Sequence, residues 1–403
     1  MDLNALVVAT ATACTALCAT LLLLSAVLRR WEKRRPICVL SMDGGGMKGI
    51  NTAAILEALE ARLQMPLGEC FDLICGTSAG GIAAMHLALA DGSGVGDFRR
   101  TLEEVRGLFA RASALRQLRD GYQCDLGECC RVARETPPHR RHETVPTPAE
   151  LTLAGRPATR LFVVSARQSS DGQFHPHLLR NYDSPPGAPV PGSACGWPTD
   201  LCMRATSSAP PFFAPVDAPD DGAVHVDGAL LANSPAELAV TEARHLWPGR
   251  PLLLVSVGSG RPADTDAAVK PSAMNSLFWL KTLVGLQLGW RQTDGAHAAM
   301  LETHMPLLAA TNPGSRYWRL QPFITSTAIH ETDRAVLGRL EKQTETWIQS
   351  NAALLDDVAA AVRAAVCARP TGSATRESEI ADGAEAAPAA KKSRRLSRGW
   401  SRN

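Results

Sequence analysis

The sequence predicts an α/β protein whose mostly parallel central sheet is flanked by helices, because short apolar runs alternate with segments of helical spacing. The first run, Ile37–Met42, ends in a glycine-rich turn and is typical of a buried parallel strand. Asn51–Leu63 then places its large apolar residues at helical spacing. The same succession recurs in the run Phe71–Cys75 and the helical segment Gly81–Ala90. This repeated order of strand, turn and helix is what predicts the fold class.

The rest of the chain adds strands, loops and a long helical stretch to this pattern. Arg160–Ala166 and Leu252–Val257 are apolar runs of strand length. Proline, glycine and serine concentrate in Thr136–Pro148 and Ser184–Pro198, which predicts surface loops. Ala335–Val366 carries leucine and valine at helical spacing and is predicted to be one long helix.

The composition excludes several classes of protein. With 45% apolar and 20% charged residues, the 403-residue chain can bury a sizeable core and is not disordered throughout. A net charge of +2 and an aromatic content of 5% argue against nucleic acid as a partner. The 11 cysteines show no regular spacing, so a disulfide framework is not predicted. No metal site is predicted either, because one set of cysteines and histidines fits no standard zinc spacing: Cys124, Cys129, Cys130, His139 and His142.

The N-terminal segment 1–35 is predicted to anchor the chain in a membrane. Leu3–Leu28 carries no charge, and as a helix it would span roughly 39 Å, enough for a hydrocarbon core of about 30 Å. Five basic residues follow, which places the downstream region in the cytoplasm: Arg29, Arg30, Lys33, Arg34 and Arg35. A cleaved signal or transit peptide and a soluble hydrophobic helix remain alternatives, although no basic region precedes the run.

The C-terminal segment 367–403 has a different composition from the rest of the chain. It is rich in alanine, serine and glutamate and ends in a basic stretch around Lys391–Arg395. Such a composition predicts a disordered, solvated tail, with contact to anionic lipid or a targeting role as the alternatives.

The first motif with chemical meaning is the loop Gly44-Gly45-Gly46-Met47-Lys48-Gly49, between a predicted strand and a predicted helix. Successive glycines let the backbone approach a ligand closely, and their N–H groups beside a helix N-terminus favour an anion. The string fits a dinucleotide-binding fingerprint, but the acidic residue expected at the end of the next strand is missing. The other hypothesis is an oxyanion hole, and the loop alone does not decide between them.

The second motif is Gly76-Thr77-Ser78-Ala79-Gly80, which follows the run Phe71–Cys75 and precedes a predicted helix. A G-x-S-x-G string in this context is a nucleophile elbow, whose small residues let the turn tighten and expose the serine hydroxyl. The following helix N-terminus favours negative charge there. Ser78 is therefore the predicted nucleophile.

The third motif is Asp227-Gly228-Ala229, at the end of the short predicted strand that begins at Val224. Taken alone, Asp-Gly is an ordinary turn signal. It gains a second meaning here because a serine nucleophile needs a base.

Together the three motifs resemble the patatin-like phospholipase family, whose pattern is D-G-G-G-x-[RK]-G, then G-x-S-x-G, then a distal D-G-[GA]. The stretches Cys202–Pro210 and Asp227–Pro235, and Tyr182-Asp183, are similar to the family as well. The similarity covers 36–246, weakens towards Gln321, and is strongest to the calcium-independent phospholipase A2 branch. The anchor and the tail lie outside it.

The resemblance implies a three-layer patatin-like fold, with 36–246 as the catalytic core and 247–366 as the remainder of the same domain. It implies hydrolysis of fatty-acyl esters of glycerophospholipids at a membrane, with no metal or organic cofactor and with calcium dispensable. Ser78 would attack the ester carbonyl, and Asp227 would accept its proton and later activate water. The N–H groups of the Gly44–Gly46 loop would stabilise the oxyanion, and Lys48 would support the loop.

Two alternatives accompany this hypothesis. A Ser–His–Asp triad would need a histidine after the acid, and four are available: His245, His297, His304 and His330. A non-catalytic lipid-binding or scaffold protein could keep the same fold. The apolar segment Leu277–Trp290 could line an acyl groove or enter the bilayer, or be a core helix. His225 is interpreted as a strand residue.

Overall fold

The structure is a computed structural model, which describes residues 35–89, 94–111, 159–192, 196–210, 212–262 and 290–369. Several of the predicted segments lie wholly or largely outside these residues: Leu3–Leu28, the cysteine and histidine set of 124–142, Thr136–Pro148, Leu277–Trp290 and the tail from residue 370. Within the described ranges, no helix combines the length and the apolar character needed to cross a bilayer.

The centre of the molecule is a mixed sheet of eight strands. Its order is β5-β6-β3-β2-β1-β7-β9, with β4 paired to β3, and a parallel pair, β8 and β10, lies apart from it. The strands are β1 (Ile37–Met42), β2 (Leu73–Thr77), β3 (Arg160–Gln168), β4 (Phe174–Arg180), β5 (Val216–Asp217), β6 (Val224–Asp227), β7 (Leu252–Val257), β8 (Arg261–Pro262), β9 (Arg316–Leu320) and β10 (Phe323–Ile324).

Five neighbouring strands of this sheet, β3, β2, β1, β7 and β9, run parallel, whereas β4, β5 and β6 are antiparallel to their partners. The predicted mostly parallel α/β architecture is therefore confirmed.

Helices cover both faces of the sheet. The α-helices in the described ranges are α1 (Gly49–Leu63), α2 (Leu67–Cys70), α3 (Ala79–Leu89), α4 (Gly94–Arg111), α5 (Thr199–Ser207), α6 (Ala229–Ala232), α7 (Ala236–Leu246), α8 (Trp290–Ala299), α9 (Met305–Thr311), α10 (Arg334–Ser350) and α11 (Ala352–Cys367). A π-helical segment, Met300–His304, joins α8 to α9. A single turn of tighter helix, Gly46–Lys48, precedes α1.

The side chains of β1 show why two helical layers are needed. Leu40 and Met42 pack into one hydrophobic cluster with α1, α10 and α11, while Ile37 and Val39 pack into a second cluster with α7. Successive strand residues point to opposite faces, so an apolar run without alternation must be covered on both sides.

One predicted helix is in fact two. The stretch predicted as Ala335–Val366 forms α10 and α11, which are interrupted at Asn351. The backbone of Asn351 leaves helical geometry, and its side-chain amide donates to the carbonyl of Trp347 at 2.8 Å. Both helices pack against α1. Apolar spacing continues across the break, so the periodicity alone did not reveal it.

Candidate active site

The turn between β2 and α3 holds Ser78 in a conformation that non-glycine residues rarely adopt, with φ of +54°. The turn is tight enough that a Cβ added at Gly76 would lie 2.0 Å from the carbonyl oxygen of Gly80. A Cβ on Gly80 would itself lie 2.4 Å from the carbonyl oxygen of Met42. The two outer glycines of the motif are therefore required by backbone contact, and the strain is concentrated on the serine.

Thr206, on α5, holds the elbow from outside the motif. Its hydroxyl donates to the carbonyl of Val164 at 2.6 Å and accepts the N–H of Ser78 at 3.1 Å. Thr206 is fully buried. This role was not predicted, and the sequence signal was slight: Thr206 lies within the stretch Cys202–Pro210 that was noted only as similar to the family.

The sheet register explains how a distant aspartate reaches the elbow. One edge of β3 pairs with β2 up to the contact between Val164 and Thr77. The same edge continues with β6, whose Asp227 pairs with Ser165, the next residue of β3. Strands β2 and β6 therefore approach each other end to end along β3. The last residue of β6 arrives beside Ser78, which directly follows β2.

Ser78 and Asp227 are in direct contact. The hydroxyl of Ser78 donates to Oδ2 of Asp227 at 2.7 Å, and Oδ1 accepts the N–H of Ala229 at 2.8 Å. The N–H of Asp227 donates to the carbonyl of Ser208 at 3.0 Å. Asp227 is 1% exposed and Ser78 is 8% exposed. Both carboxylate oxygens are thus oriented, and one of them lies within proton-transfer distance of the serine.

Burial changes the acidity of this carboxyl group. Removal from water raises the pKa of Asp227 to about 7, while the hydrogen bonds from Ala229 and Ser78 act in the opposite direction. A carboxylate with a pKa near neutrality is a far better proton acceptor than an ordinary aspartate. The site therefore combines a strained serine with an unusually basic carboxylate.

The glycine-rich loop lies beside the serine, since a Cβ added at Gly44 would lie 3.1 Å from Cβ of Ser78. Gly44 donates its N–H to the carbonyl of Asn233 at 3.0 Å, and Met47 donates to the carbonyl of Ile329 at 2.7 Å. Within the described ranges, the N–H groups of Gly45 and Gly46 have no acceptor. Of the three glycine N–H groups predicted to bind an anion, that of Gly44 is already engaged with Asn233, and for Gly45 and Gly46 the role stays a prediction.

Comparison with known proteins identifies the family of this chain. The family model of patatin-like phospholipases matches residues 40–240, about half of the chain. The chain belongs to the patatin-like phospholipase family. The matched region begins in β1 and ends in α7, so it contains the glycine-rich loop, the elbow and Asp227.

Curated relatives of this patatin-like chain include several phospholipases. Phospholipase A I of Arabidopsis thaliana is 27% identical over 399 residues, covering 82% of this chain and 28% of the relative. Calcium-independent phospholipase A2-gamma of Mus musculus is 26% identical, covering 79% and 39%. The 85/88 kDa calcium-independent phospholipase A2 of Rattus norvegicus is 29% identical, covering 79% and 40%. The chain therefore spans at most about two fifths of the length of these relatives.

Among solved structures, VipD from Legionella pneumophila aligns with 78% of this chain and 67% of its own at 14% identity. The TM-score is 0.35, which is too low to bear on fold or function.

The start of the patatin-like loop is fixed by a buried ion pair that was not predicted. Asp43, directly before Gly44, pairs with Arg319 of β9, and Arg319 also donates to the hydroxyl of Ser256 at 2.8 Å. Lys48 is buried at the far end of the loop, where burial lowers the pKa of its ammonium group and the charge of Asp43 opposes that effect. The role of Lys48 as a support of the loop stays a prediction.

The histidines proposed for a triad are engaged elsewhere in this patatin-like domain. His245 contacts the carbonyl of Thr241 at 2.8 Å, His297 the hydroxyl of Tyr317 at 3.0 Å, and His304 a carboxylate oxygen of Glu237 at 3.2 Å. His330 lies beside Phe212, with ring centroids 4.8 Å apart. The single hydroxyl proton of Ser78 is donated to Asp227, so it is not available to a histidine base.

His225 is a buried residue of β6, in agreement with its interpretation as a strand residue. Its Nδ1 lies 2.9 Å from the hydroxyl of Ser165, and its ring meets Trp197 edge-on. Burial lowers the pKa of His225 to about 4, so the ring is neutral at physiological pH.

Proposed function

We propose that this protein is a lipid acyl hydrolase that cleaves fatty-acyl esters of glycerophospholipids through a Ser78–Asp227 dyad. The observation that carries the proposal is the hydrogen bond of 2.7 Å from the Ser78 hydroxyl to the buried Asp227 carboxylate. The phospholipase names of the relatives support the substrate class, and the words "calcium-independent" in two of them support a reaction without calcium.

In the acylation half-reaction, Oγ of Ser78 bonds to the ester carbonyl carbon while its proton moves to Asp227. The negative charge that develops on the carbonyl oxygen is stabilised by the N–H groups of Gly45 and Gly46. The carbon–oxygen bond to the alcohol then breaks, and the alcohol leaves as a lysophospholipid with the proton from Asp227. The product on the enzyme is an ester of Ser78.

In the deacylation half-reaction, Asp227 removes a proton from water, and the hydroxide attacks the acyl-enzyme carbonyl. Collapse of this second tetrahedral intermediate releases the fatty acid and returns the proton to Oγ of Ser78. The same carboxylate therefore serves as base and acid in both halves.

An apolar wall beside the dyad supports a lipid substrate. Phe212, Leu230 and Ile329 are partly exposed and pack around Ala209 and Ala229. Ala229 donates its backbone N–H to Asp227, and the carbonyl of Ile329 holds the glycine-rich loop through Met47. The wall thus extends from the base to the oxyanion loop, and the acyl chain is expected to lie against it.

Replacement of Phe212 by alanine is expected to lower kcat/KM for a palmitoyl ester by about tenfold. Partial burial of the phenyl ring against the acyl chain contributes roughly 1–2 kcal/mol to binding. A butyryl ester, too short to use the wall fully, is expected to lose less than about threefold. The matched control is Phe323→Ala, which removes an exposed phenylalanine from β10. Equal losses for both esters would contradict this assignment of the wall.

The function itself is tested with a fluorophosphonate probe and a lipid panel in excess calcium chelator. The wild-type protein is expected to be labelled and to release fatty acid from diacyl glycerophospholipids, while Ser78→Ala is expected to do neither. Labelling that persists in Ser78→Ala would assign the nucleophile to another residue. A wild-type protein that binds lipid vesicles but is neither labelled nor active would be a lipid-binding scaffold.

We also propose a membrane-tethered arrangement. Residues 36–246 and 247–366 would form one catalytic domain, since β7 and β9 of the second segment continue the sheet beyond β1. Residues 1–35 would form a single-pass anchor with the catalytic domain on the cytoplasmic side, as the uncharged run and its basic flank indicate. Residues 367–403 would form a basic tail.

A further inference from the structure

The orientation of one donor in the oxyanion loop depends on a residue far away in the sequence. The N–H of Gly45 and the carbonyl of Gly44 belong to the same peptide group, so they point in opposite directions. The hydroxyl of Ser259 donates to the carbonyl oxygen of Gly44 at 3.0 Å. The N–H of Gly45 therefore points away from Ser259, and it has no acceptor within the described ranges.

Ser259 follows β7 and lies directly beneath the loop. A Cβ added at Gly45 would lie 2.3 Å from its hydroxyl oxygen, and the serine is 5% exposed. Because a hydroxyl carries one proton, donation to Gly44 uses the full donor capacity of this side chain. Rotation of the Gly44–Gly45 peptide would leave that hydroxyl without its acceptor in a buried place, which is unfavourable.

Ser259 is itself held by two helices. Its carbonyl accepts the side-chain amide of Asn51 on α1 at 2.9 Å, and the amide oxygen of Asn51 accepts the hydroxyl of Thr344 on α10 at 2.9 Å. Asn51 and Thr344 are fully buried. A satisfied buried network of this kind is rigid, so the position of Ser259 under the loop is well defined.

We propose that Ser259 is a positioning residue, which fixes the Gly44–Gly45 peptide so that the N–H of Gly45 faces the oxyanion formed at Ser78. The proposal rests on the proposed function, because it concerns the transition state of that ester hydrolysis. The hydrogen bond to the Gly44 carbonyl also polarises the peptide and strengthens its N–H as a donor. Ser259 acts through the backbone and does not touch the substrate.

The test compares Ser259→Ala with Ser259→Thr, which retains a hydroxyl, and with Ser315→Ala as a matched control. The hydroxyl of Ser315 donates to the carbonyl of Asn312 at 2.7 Å and accepts the N–H of Leu252, at the opposite end of β7. Four quantities are measured: kcat and KM on a palmitoyl ester, the inhibition constant of a trifluoromethyl ketone that forms an oxyanion with Ser78, and Tm.

For Ser259→Ala, kcat is expected to fall roughly 10- to 100-fold with little change in KM. Complete loss of one oxyanion donor lowers kcat by about 100- to 1,000-fold, and this variant only frees the donor from its fixed orientation. The affinity for the ketone is expected to fall by a similar factor. Ser259→Thr is expected to recover most of kcat and most of the ketone affinity. The control is expected to keep its kcat and its ketone affinity even if its Tm falls.

The proposal is overturned if Ser259→Ala keeps kcat within about threefold of the wild type. It is also overturned if the ketone binds unchanged while kcat falls, or if Ser315→Ala loses as much kcat at a similar Tm. A wild-type protein with neither hydrolysis nor fluorophosphonate labelling would instead end the proposed function, and this inference with it.

Discussion

Asp227→Asn is expected to lower kcat by roughly 10⁴-fold or more. Losses of this order follow when the base that activates a catalytic nucleophile is removed. Asparagine fits the site: its oxygen can accept the N–H of Ala229, and its amide can donate to Oγ of Ser78. The hydrogen bond between the two side chains is thereby kept with reversed polarity, and the ability to accept a proton is lost. The loss is measured with the same palmitoyl ester.

The pH dependence of the wild-type enzyme provides a companion measurement. The pKa of Asp227 is raised by burial to about 7, and the reacting form is the carboxylate. We therefore expect kcat/KM to rise with pH, to reach half of its maximum near pH 7 and to level off at higher pH. A profile that is flat between pH 5 and pH 9 would be incompatible with Asp227 as the base.

As pH rises, the contribution of Asp227 to the stability of the fold is expected to fall, whereas activity is expected to rise. A carboxyl group whose pKa is higher in the folded state than in the unfolded chain stabilises the fold fully below its unfolded pKa of 3.8. This contribution disappears as pH rises through about 7, where the buried group must ionise. Asparagine carries no such penalty, so Tm of the variant relative to the wild type should increase between pH 4 and pH 8. An inactive variant with lowered Tm at pH 8 would indicate misfolding instead.

Arg319→Met is expected to destabilise the protein by roughly 3–5 kcal/mol, because it leaves a buried carboxylate without its partner. The side chains of Arg319 and Asp43 are 7% and 1% exposed. Arg319 also donates to Ser256, so a second hydrogen bond is lost. The free energy of unfolding is measured by urea denaturation at neutral pH.

The same strand supplies the control for this measurement. Arg316 pairs with Asp357 at the surface, where both side chains are nearly half exposed, so Arg316→Met is expected to cost less than about 1 kcal/mol. The double variant Arg319→Met with Asp43→Asn should recover part of the stability, because it removes the unpaired charge. Similar losses for the two arginines, with no recovery in the double variant, would refute the role assigned to the buried pair.

The sequence by itself determined the local features of this protein. The apolar runs located β1, β2 and β7, because a strand buried on both faces needs consecutive apolar residues. The elbow was recognised from Gly76 to Gly80, because its tight turn restricts the residue types that fit. These signals are contained in short windows, where backbone geometry and side-chain size act directly.

Only the tertiary structure explains how distant groups meet, although the resemblance to the family already implied the pairing of Ser78 with Asp227. Asp227 reaches Ser78 because β6 continues the edge of β3 at the point where β2 ends. Thr206, Ser259 and Arg319 support the elbow and the loop from positions 128 to 276 residues away from their partners. A single serine, threonine or arginine carries no local pattern that names its partner. The partner is set by strand order and helix packing, which depend on burial of the whole sheet. The supporting roles of these three residues could therefore not be predicted from the sequence around them.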